Sequence, residues 1–223
     1  MDEKGLKKLL IDGAFELGVS LDQKKADQFL TFLKELKAWN KKINLTAITD
    51  DKDIIIKHFL DSLTVFGILR RLSCKKLLDI GSGAGFPGIP LKIASPDLSI
   101  TMMDSVERKA HFIRHIIRTL NLPGEISAIS ARAEDPYILE GHRSAFDSVV
   151  SRALSGLREF IDIAMPYLSE GGAAIAIKGP AVLKELEGMA GARGISAPEV
   201  FEVKVPFSDR RNNIIIVRRL PFS

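Results

Sequence analysis

Apolar residues recur every three or four positions through the first 70 residues, and no strand pattern interrupts them. Leu6, Leu9, Leu10 and Leu17 mark one helix, which Leu17-Gly18-Val19-Ser20 breaks. Ser20 and Gln23 form a capping-box pattern opening a second helix, with Ala26, Phe29, Leu30, Leu33 and Leu36 on one face. Residues 39–53 read as turn and loop, and Ile56, Leu60 and Leu63 line a third helix. From residue 75 short apolar strands begin to alternate with helices. The strands are expected at 75–80, 98–104, 125–131, 146–152 and 173–179, with helices over 106–121 and 156–168. Such alternation predicts a parallel, doubly wound α/β sheet. The tail departs from it: 199–207 and 212–220 are two strands joined by a short polar turn, hence an antiparallel hairpin at the sheet edge. The division that follows is a helical N-terminal lobe over 1–72 and a sheet domain over 73–223. No internal repeat or low-complexity segment is visible.

Composition narrows this little. A chain of 223 residues, 46% hydrophobic and 27% charged, suits one soluble core with a small lobe. No apolar run approaches the roughly 18–20 residues of a membrane helix, and the N-terminus lacks a signal peptide's apolar centre. Cys74 is the single cysteine, which excludes an internal disulfide and a cysteine metal cage. Cytoplasm is therefore the default location, and a monomer is expected because no exposed apolar stripe is left unassigned. The net charge of +4 divides into +3 over residues 1–75 and +1 over the rest. That field allows an anionic partner without arguing for one.

The informative stretch is LLDIGSGAGFPGIP, residues 77–90, where a strand runs into glycines 81, 83, 85 and 88. Gly85 is followed by Phe86-Pro87 rather than Lys and Ser/Thr, so a nucleoside triphosphate loop is excluded. Gly83, Gly85 and Gly88 do fit the dinucleotide fingerprint, and Asp104 ends the next strand where a ribose-binding acid is expected. Two features favour S-adenosyl-L-methionine over a dinucleotide. Asp79 places a carboxylate beside the loop, which suits a methionine amino group and repels a pyrophosphate. Pro87 and Pro90 remove backbone donors where a phosphate-binding helix would begin. The order of elements downstream resembles the class I methyltransferase layout, a Rossmann-like, mostly parallel sheet with an antiparallel end.

Seven words in register make the resemblance specific: WNKKINLTAI (39–48), KHFLDSL (57–63), LLDIGSGAGFPGIPL (77–91), MDSVERKAHFI (103–113), ARAED (131–135), FDSVVSRA (146–153) and AIKGP (176–180). Together they look like the RsmG family, also called GidB, whose members methylate N7 of a guanine in bacterial small-subunit (16S) ribosomal RNA. ERK at 107–109 departs slightly, since the family more often shows Lys before Arg, and 184–199 matches no recognisable word. The resemblance implies a cofactor site made of Gly81, Phe86, Asp104, Ser105, Val106, Ala133, Glu134 and Arg152. In it Gly81 lets the backbone approach the methionine part and Phe86 packs against the ligand. Asp104, Ser105 and Val106 serve the ribose and border the adenine, and Ala133 and Glu134 lie at the adenine edge. Arg152 stands where the target base meets the methyl group. The implied partner is small-subunit ribosomal RNA or the 30S particle, with no membrane and no metal.

The chemistry agrees by exclusion. Cytosine C5 methylation needs a cysteine nucleophile, and Cys74 precedes the first strand, at the wrong end of the sheet. The Asp/Asn-Pro-Pro-aromatic word of exocyclic-amine enzymes is replaced by Ser151-Arg152-Ala153-Leu154. Guanine N7 already carries an in-plane lone pair, so no general base is expected and the catalytic residues stay unassigned. Plainer readings stand beside these. Asp79 could bond only the loop's amides, Gly88 could serve only helix–sheet packing, Glu134 could cap a helix, and Arg152 could pair with Asp147. His58 and Asp61 could tie the lobe to the sheet. Trp39, Lys41 and Lys42 could form an RNA patch or a buried fastening, and Arg108, His111, His115 and Arg118 a phosphate contact or a solvated face. Lys178 could touch RNA backbone. Two other classes stay open: an NAD(P)-dependent oxidoreductase, and a non-catalytic RNA-binding or ribosome assembly factor with the same fold.

Overall fold

The computed structural model describes residues 1–152, 156–186 and 194–221. Ala153 and Leu154 of the word after the fourth strand, and part of the unmatched 184–199 segment, lie outside the described residues.

The chain opens with α1 (Glu3–Glu16) and α2 (Gln23–Asn40). The second helix is capped by Asp22, whose carboxylate accepts the Lys25 N–H at 2.8 Å. Ser20 lies two residues upstream of that cap, so the expected Ser20–Gln23 box does not form. A helical stretch follows as α3 (Asp51–Ile54), a π-helical turn (Ile55–Leu60) and α4 (Asp61–Leu63), and then α5 (Phe66–Arg71). Ile56, Leu60 and Leu63 are buried as the periodicity requires. The wide turn is the kind of irregularity that often marks a functional position, because it re-aims the side chains it carries.

The sheet comprises β1 (Lys76–Ile80), β2 (Ser99–Asp104), β3 (Ile126–Ser130), β4 (Phe146–Ser151), β5 (Leu168–Lys178), β6 (Glu199–Lys204) and β7 (Arg211–Arg218). Its order is β3-β2-β1-β4-β5-β7-β6. The first five strands are parallel, and β7 pairs antiparallel with both β5 and β6. The hairpin therefore inserts its last strand next to β5 and leaves β6 at the edge. Between strands run α6 (Gly88–Ala94), α7 (Glu107–Thr119), α8 (Pro136–His142) and α9 (Leu157–Ala164). The short α8 was not anticipated from periodicity. Its signal is Asp135-Pro136, a capping acid followed by proline at the first helical position.

Side chains alternate across the strands as the two-residue period demands. Leu77, Met102, Val150, Ile175 and Ile214 face a core shared with α2, α6, α7 and the 51–63 helical stretch. Leu78, Met103, Val149, Ala174 and Ile215 face a second core against α9. The N-terminal helices are thus continuous with the sheet's larger core. Phe32 lies 5.3 Å from both Phe59 and Phe86 and 6.3 Å from Phe112, which joins four elements through one ring. Polar capping adds to the fit. Lys25 Nζ donates to the Ala94 carbonyl at 2.9 Å and Gln28 Nε2 to the Leu120 carbonyl at 3.0 Å, so α2 satisfies backbone acceptors at the ends of α6 and α7.

Below the sheet, Lys92 is fully buried, and its ammonium donates to the carbonyls of Pro96 and Leu98 at 2.8 Å and of Glu125 at 3.4 Å. Those three acceptors lie at the starts of β2 and β3, so one side chain ties α6 to both. Lys92→Met should lower folding stability by about 1–3 kcal/mol, because the carbonyls lose their donor without regaining water. The shift of the urea unfolding midpoint at unchanged slope measures it, and an unshifted midpoint would count against this role.

Candidate active site

The glycine loop leaves β1 at the carboxyl edge of the sheet, where parallel α/β folds place their ligands. Gly81 takes φ +72°, and its N–H and that of Ser82 both donate to the Met103 carbonyl, at 2.8 and 3.1 Å. Asp104 then stitches two loops together. Its Oδ2 accepts the Gly83 N–H at 2.8 Å and its Oδ1 the Val106 N–H at 2.9 Å. A carboxylate oxygen has a second lone pair, so one acceptor position on each oxygen remains.

Asp79 lies wholly buried beneath the loop. Its Oδ2 accepts the Gly88 N–H at 2.9 Å, and its Oδ1 has no partner. The first free amide of α6 is therefore consumed by a carboxylate, and Pro90 removes another donor. Burial raises the Asp79 pKa from 3.8 to about 7, against the lowering effects of the Gly88 N–H and Arg152, with Asp104 raising it further. A Cβ on Gly88 would come within 2.6 Å of Met102 Cγ and Sδ and 2.9 Å of Asp79 Oδ2. Gly88 is thus required for helix–sheet packing.

A cavity of about 210 Å³ opens above these groups, and Gly81, Asp104, Ser105, Ala133 and Glu134 all line it. Five of the eight expected residues are brought together there. Tyr167, fully buried, holds the far wall by donating to the Ala133 carbonyl at 2.6 Å. The helix cap in this region is Asp135, which accepts the Tyr137 N–H, so Glu134 is not the cap. Val106 flanks the cavity through its backbone bond to Asp104, with its side chain exposed.

Phe86 and Arg152 belong to a neighbouring cluster. Asp79 pairs with Val150 in the sheet register, so Gly81 and Arg152 each emerge two residues beyond that pair. Arg152 Nη1 donates to Asp61 Oδ2 at 2.9 Å and Nη2 to His58 Nδ1 at 3.3 Å. The guanidinium carbon lies 5.1 Å from the centre of the Phe86 ring, which stacks on His58 at 4.7 Å. Asp61 is 3% exposed and also accepts from Asn212 Nδ2 at 3.0 Å. His58 and Asp61 therefore meet through Arg152, and the alternative pairing of Arg152 with Asp147 is corrected: Asp147 accepts the Lys75 and Lys76 amides instead. His58 is pushed from 6.5 down to about 3, by burial first and then by Arg152 and Arg210, which outweigh the opposing Lys57 backbone contact. Beyond this cluster lies a cavity of about 500 Å³ whose walls carry Lys57, Arg152, Lys178, Arg210 and Arg211 against Asp61 and Asp209.

Other candidates separate. Trp39 packs between Phe112, His111 and His115, and His115 bonds Glu35 at 2.7 Å, so this part of α7 fastens to α2. Arg108, Arg118, Lys41 and Lys42 are exposed. Cys74 lies at the amino end of β1, and burial raises its thiol pKa to about 11. Thr46, Asn212 and Tyr167 had no signal in the periodicity. Each is a single polar residue whose partner is 12 or more positions away.

This strand order with a glycine loop at its carboxyl edge defines a class I methyltransferase fold. Solved structures agree at the level of fold: the O-methyltransferase TomG from Streptomyces achromogenes (TM-score 0.61, 14% identity, 99% of this chain and 100% of that one) and the tRNA (m1A58) methyltransferase TrmI from Aquifex aeolicus (0.54, 17%, 73% and 69%). The chain belongs to the GidB family, rRNA small subunit methyltransferase G, whose model matches residues 25–215. Its relatives include proteins named ribosomal RNA small subunit methyltransferase G from Acetivibrio thermocellus, 40% identical over 98% of this chain and 91% of the relative, and from Geobacter sp. strain M21, 41% identical over 96% and 97%.

The raised Asp79 pKa gives a signed expectation. Its carboxyl binds a proton more tightly folded than unfolded, so its contribution to stability falls as pH rises from 3.8 to about 7. Asp79→Asn keeps an acceptor for Gly88, and without ligand it should gain stability relative to wild type across that window. Parallel pH-dependent melting of the two proteins tests this; a constant difference would contradict it.

Proposed function

We propose that the protein transfers a methyl group from S-adenosyl-L-methionine to N7 of a guanine in small-subunit ribosomal RNA, free or within the 30S particle. The observation that carries this reading is an acid-lined cleft beside a basic cavity, on adjacent strand ends, in a chain of this family. The cleft fits the cofactor by charge. The unpartnered Asp79 Oδ1 offers an acceptor beneath the loop, which an arriving ammonium group would draw into its ionised form, and Asp104 keeps lone pairs for two hydroxyls. Ala133 and Glu134 border the adenine, Ser105 and Val106 the ribose side, and Gly81 brings backbone close to the methionine part. Phe86 and Arg152 stand at the methyl end. When bound, S-adenosyl-L-methionine supplies an electrophilic methyl on a sulfonium centre.

The chain's own work is alignment. Guanine N7 attacks with its lone pair and loses no proton, so the residues need only hold the base, exclude water and orient the two partners. Lys57, Lys178, Arg210 and Arg211 around the larger cavity suit a phosphate backbone entering with the base. The oxidoreductase alternative is disfavoured because Asp79 occupies the amide that a pyrophosphate would use. We further read the chain as a monomer of the cytoplasm, with residues 1–72 as the helical lobe and 73–223 as the catalytic domain. Among the described residues no helix is long and apolar enough to cross a membrane.

Chemical cleavage at N7-methylguanine followed by primer extension, on RNA from a deletion strain, should show loss of one stop in small-subunit RNA. Retention of every stop would overturn the substrate. Gly81→Val should abolish cofactor binding by calorimetry, since a β-branched residue at φ +72° distorts the loop; unchanged affinity would mean the cofactor lies elsewhere.

A further inference from the structure

We propose that His58 and Thr46 are positioning residues for the transfer: the imidazole, oriented by the threonine hydroxyl, holds the Arg152 guanidinium in one plane beside the reacting centre. The inference rests on the function proposed above. A guanidinium only donates, so His58 Nδ1, 3.3 Å from Arg152 Nη2, presents its lone pair. The ring proton is then on Nε2, which donates to Thr46 Oγ1 at 2.7 Å. The same hydroxyl accepts the Ile48 N–H at 3.1 Å, so imidazole and loop lock each other. The loop is itself folded around Asn40, whose Oδ1 accepts the Leu45 and Thr46 amides at 2.8 and 2.9 Å and whose Nδ2 donates to the Thr46 carbonyl at 2.9 Å.

Nη1 donates to Asp61 Oδ2 at 2.9 Å and, more weakly, to the Lys57 carbonyl at 3.5 Å, both on one arm of the guanidinium. Contacts on one arm leave the other free to move; the acceptor on Nη2, His58 Nδ1, holds that arm and so sets the plane. The Phe86 ring completes the seat, with His58 stacked on it at an interplanar angle of 14° and Arg152 over it. The charges acting on the imidazole are Arg152 from the end of β4 and Arg210 from the β6–β7 turn, the Lys57 backbone acts by hydrogen bond, and Asp61 of its own helical stretch sits across the Arg152 guanidinium. Burial and the two arginines keep it neutral, and both ring nitrogens are engaged, so it is no proton acceptor for the reaction. His58 in the π-helical turn and Asp61, three residues on at the start of α4, address the two arms of one guanidinium from one side of the helical stretch.

The test measures methyl transfer to isolated small subunits, normalised to enzyme competent to bind S-adenosyl-L-methionine by calorimetric titration. His58→Asn keeps an amide oxygen near the place of Nδ1, whereas His58→Leu keeps bulk without an acceptor. Thr46→Ser keeps the hydroxyl that Thr46→Val removes, and being partly exposed this pair serves if His58→Leu does not fold. The Asn and Ser variants should retain kcat within about 5-fold, and the Leu and Val variants should lose about 30–100-fold, the scale of a small misplacement of reacting groups. At saturating S-adenosyl-L-methionine, where the titration of empty-site Asp79 drops out, the wild-type rate should be flat between about pH 6 and 8, where a histidine base would titrate. Equal activity of the Asn and Leu variants would overturn the proposal, as would an acid limb near pH 6.5 in wild type that His58→Asn removes. Absence of transfer by the wild-type enzyme would overturn the functional reading beneath it, which keeps the two failures distinct.

Discussion

A guanidinium at the end of an interior strand has to be neutralised, and Arg152 draws its partner from the helical segment that precedes the sheet. Asp61, nearly without exposure, is 91 residues away in sequence and 2.9 Å away in space. Losing Arg152 would leave the Asp61 charge buried, which typically costs about 3–5 kcal/mol. The constraint therefore fixes how the N-terminal helices meet the sheet. Asn212, from the antiparallel last strand, binds the same aspartate and so brings the carboxyl-terminal hairpin into register with both. One carboxylate thus relates the helical segment, the parallel core and the tail.

A second pair of acids does comparable work in the glycine loop. Asp104 accepts amides from both loops that frame the smaller cavity, and Asp79 accepts the amide that opens α6. Backbone donors that in a dinucleotide site would face phosphate are turned inward here. The site's electrostatics follow: acidic over β1–β3, basic beyond β4 and β7. A cationic small molecule and a polyanion can then occupy neighbouring positions without competing for the same charges.

Much of the fold was legible in the sequence. Each strand but β5 was expected within three residues of where it lies, because a short apolar run bounded by turn residues marks a buried strand; β5 starts five residues early, at Leu168, where it joins β4 ahead of an irregularity in register. The helix over 156–168 came out as α9 plus a short 3₁₀ turn, since Pro166 ends the regular helix. The Ser20 cap failed because Asp22, closer to the first turn, competes for the same amides. Helix α8 was missed because seven half-exposed residues carry too little periodicity. Of the expected site residues, those gathered in the smaller cavity follow strands β1 to β3 directly, so their place was set once the strands were.

What the sequence determined by itself was the alternation of elements, the family words and the carboxyl-edge location of the loop, all consequences of local pattern. What tertiary structure decided was partnership. That Arg152 binds Asp61 rather than Asp147, that Thr46 meets His58, and that Trp39 packs on α7 depend on where distant helices dock. Docking is set by the summed burial of many apolar side chains, a quantity that no short window of residues contains.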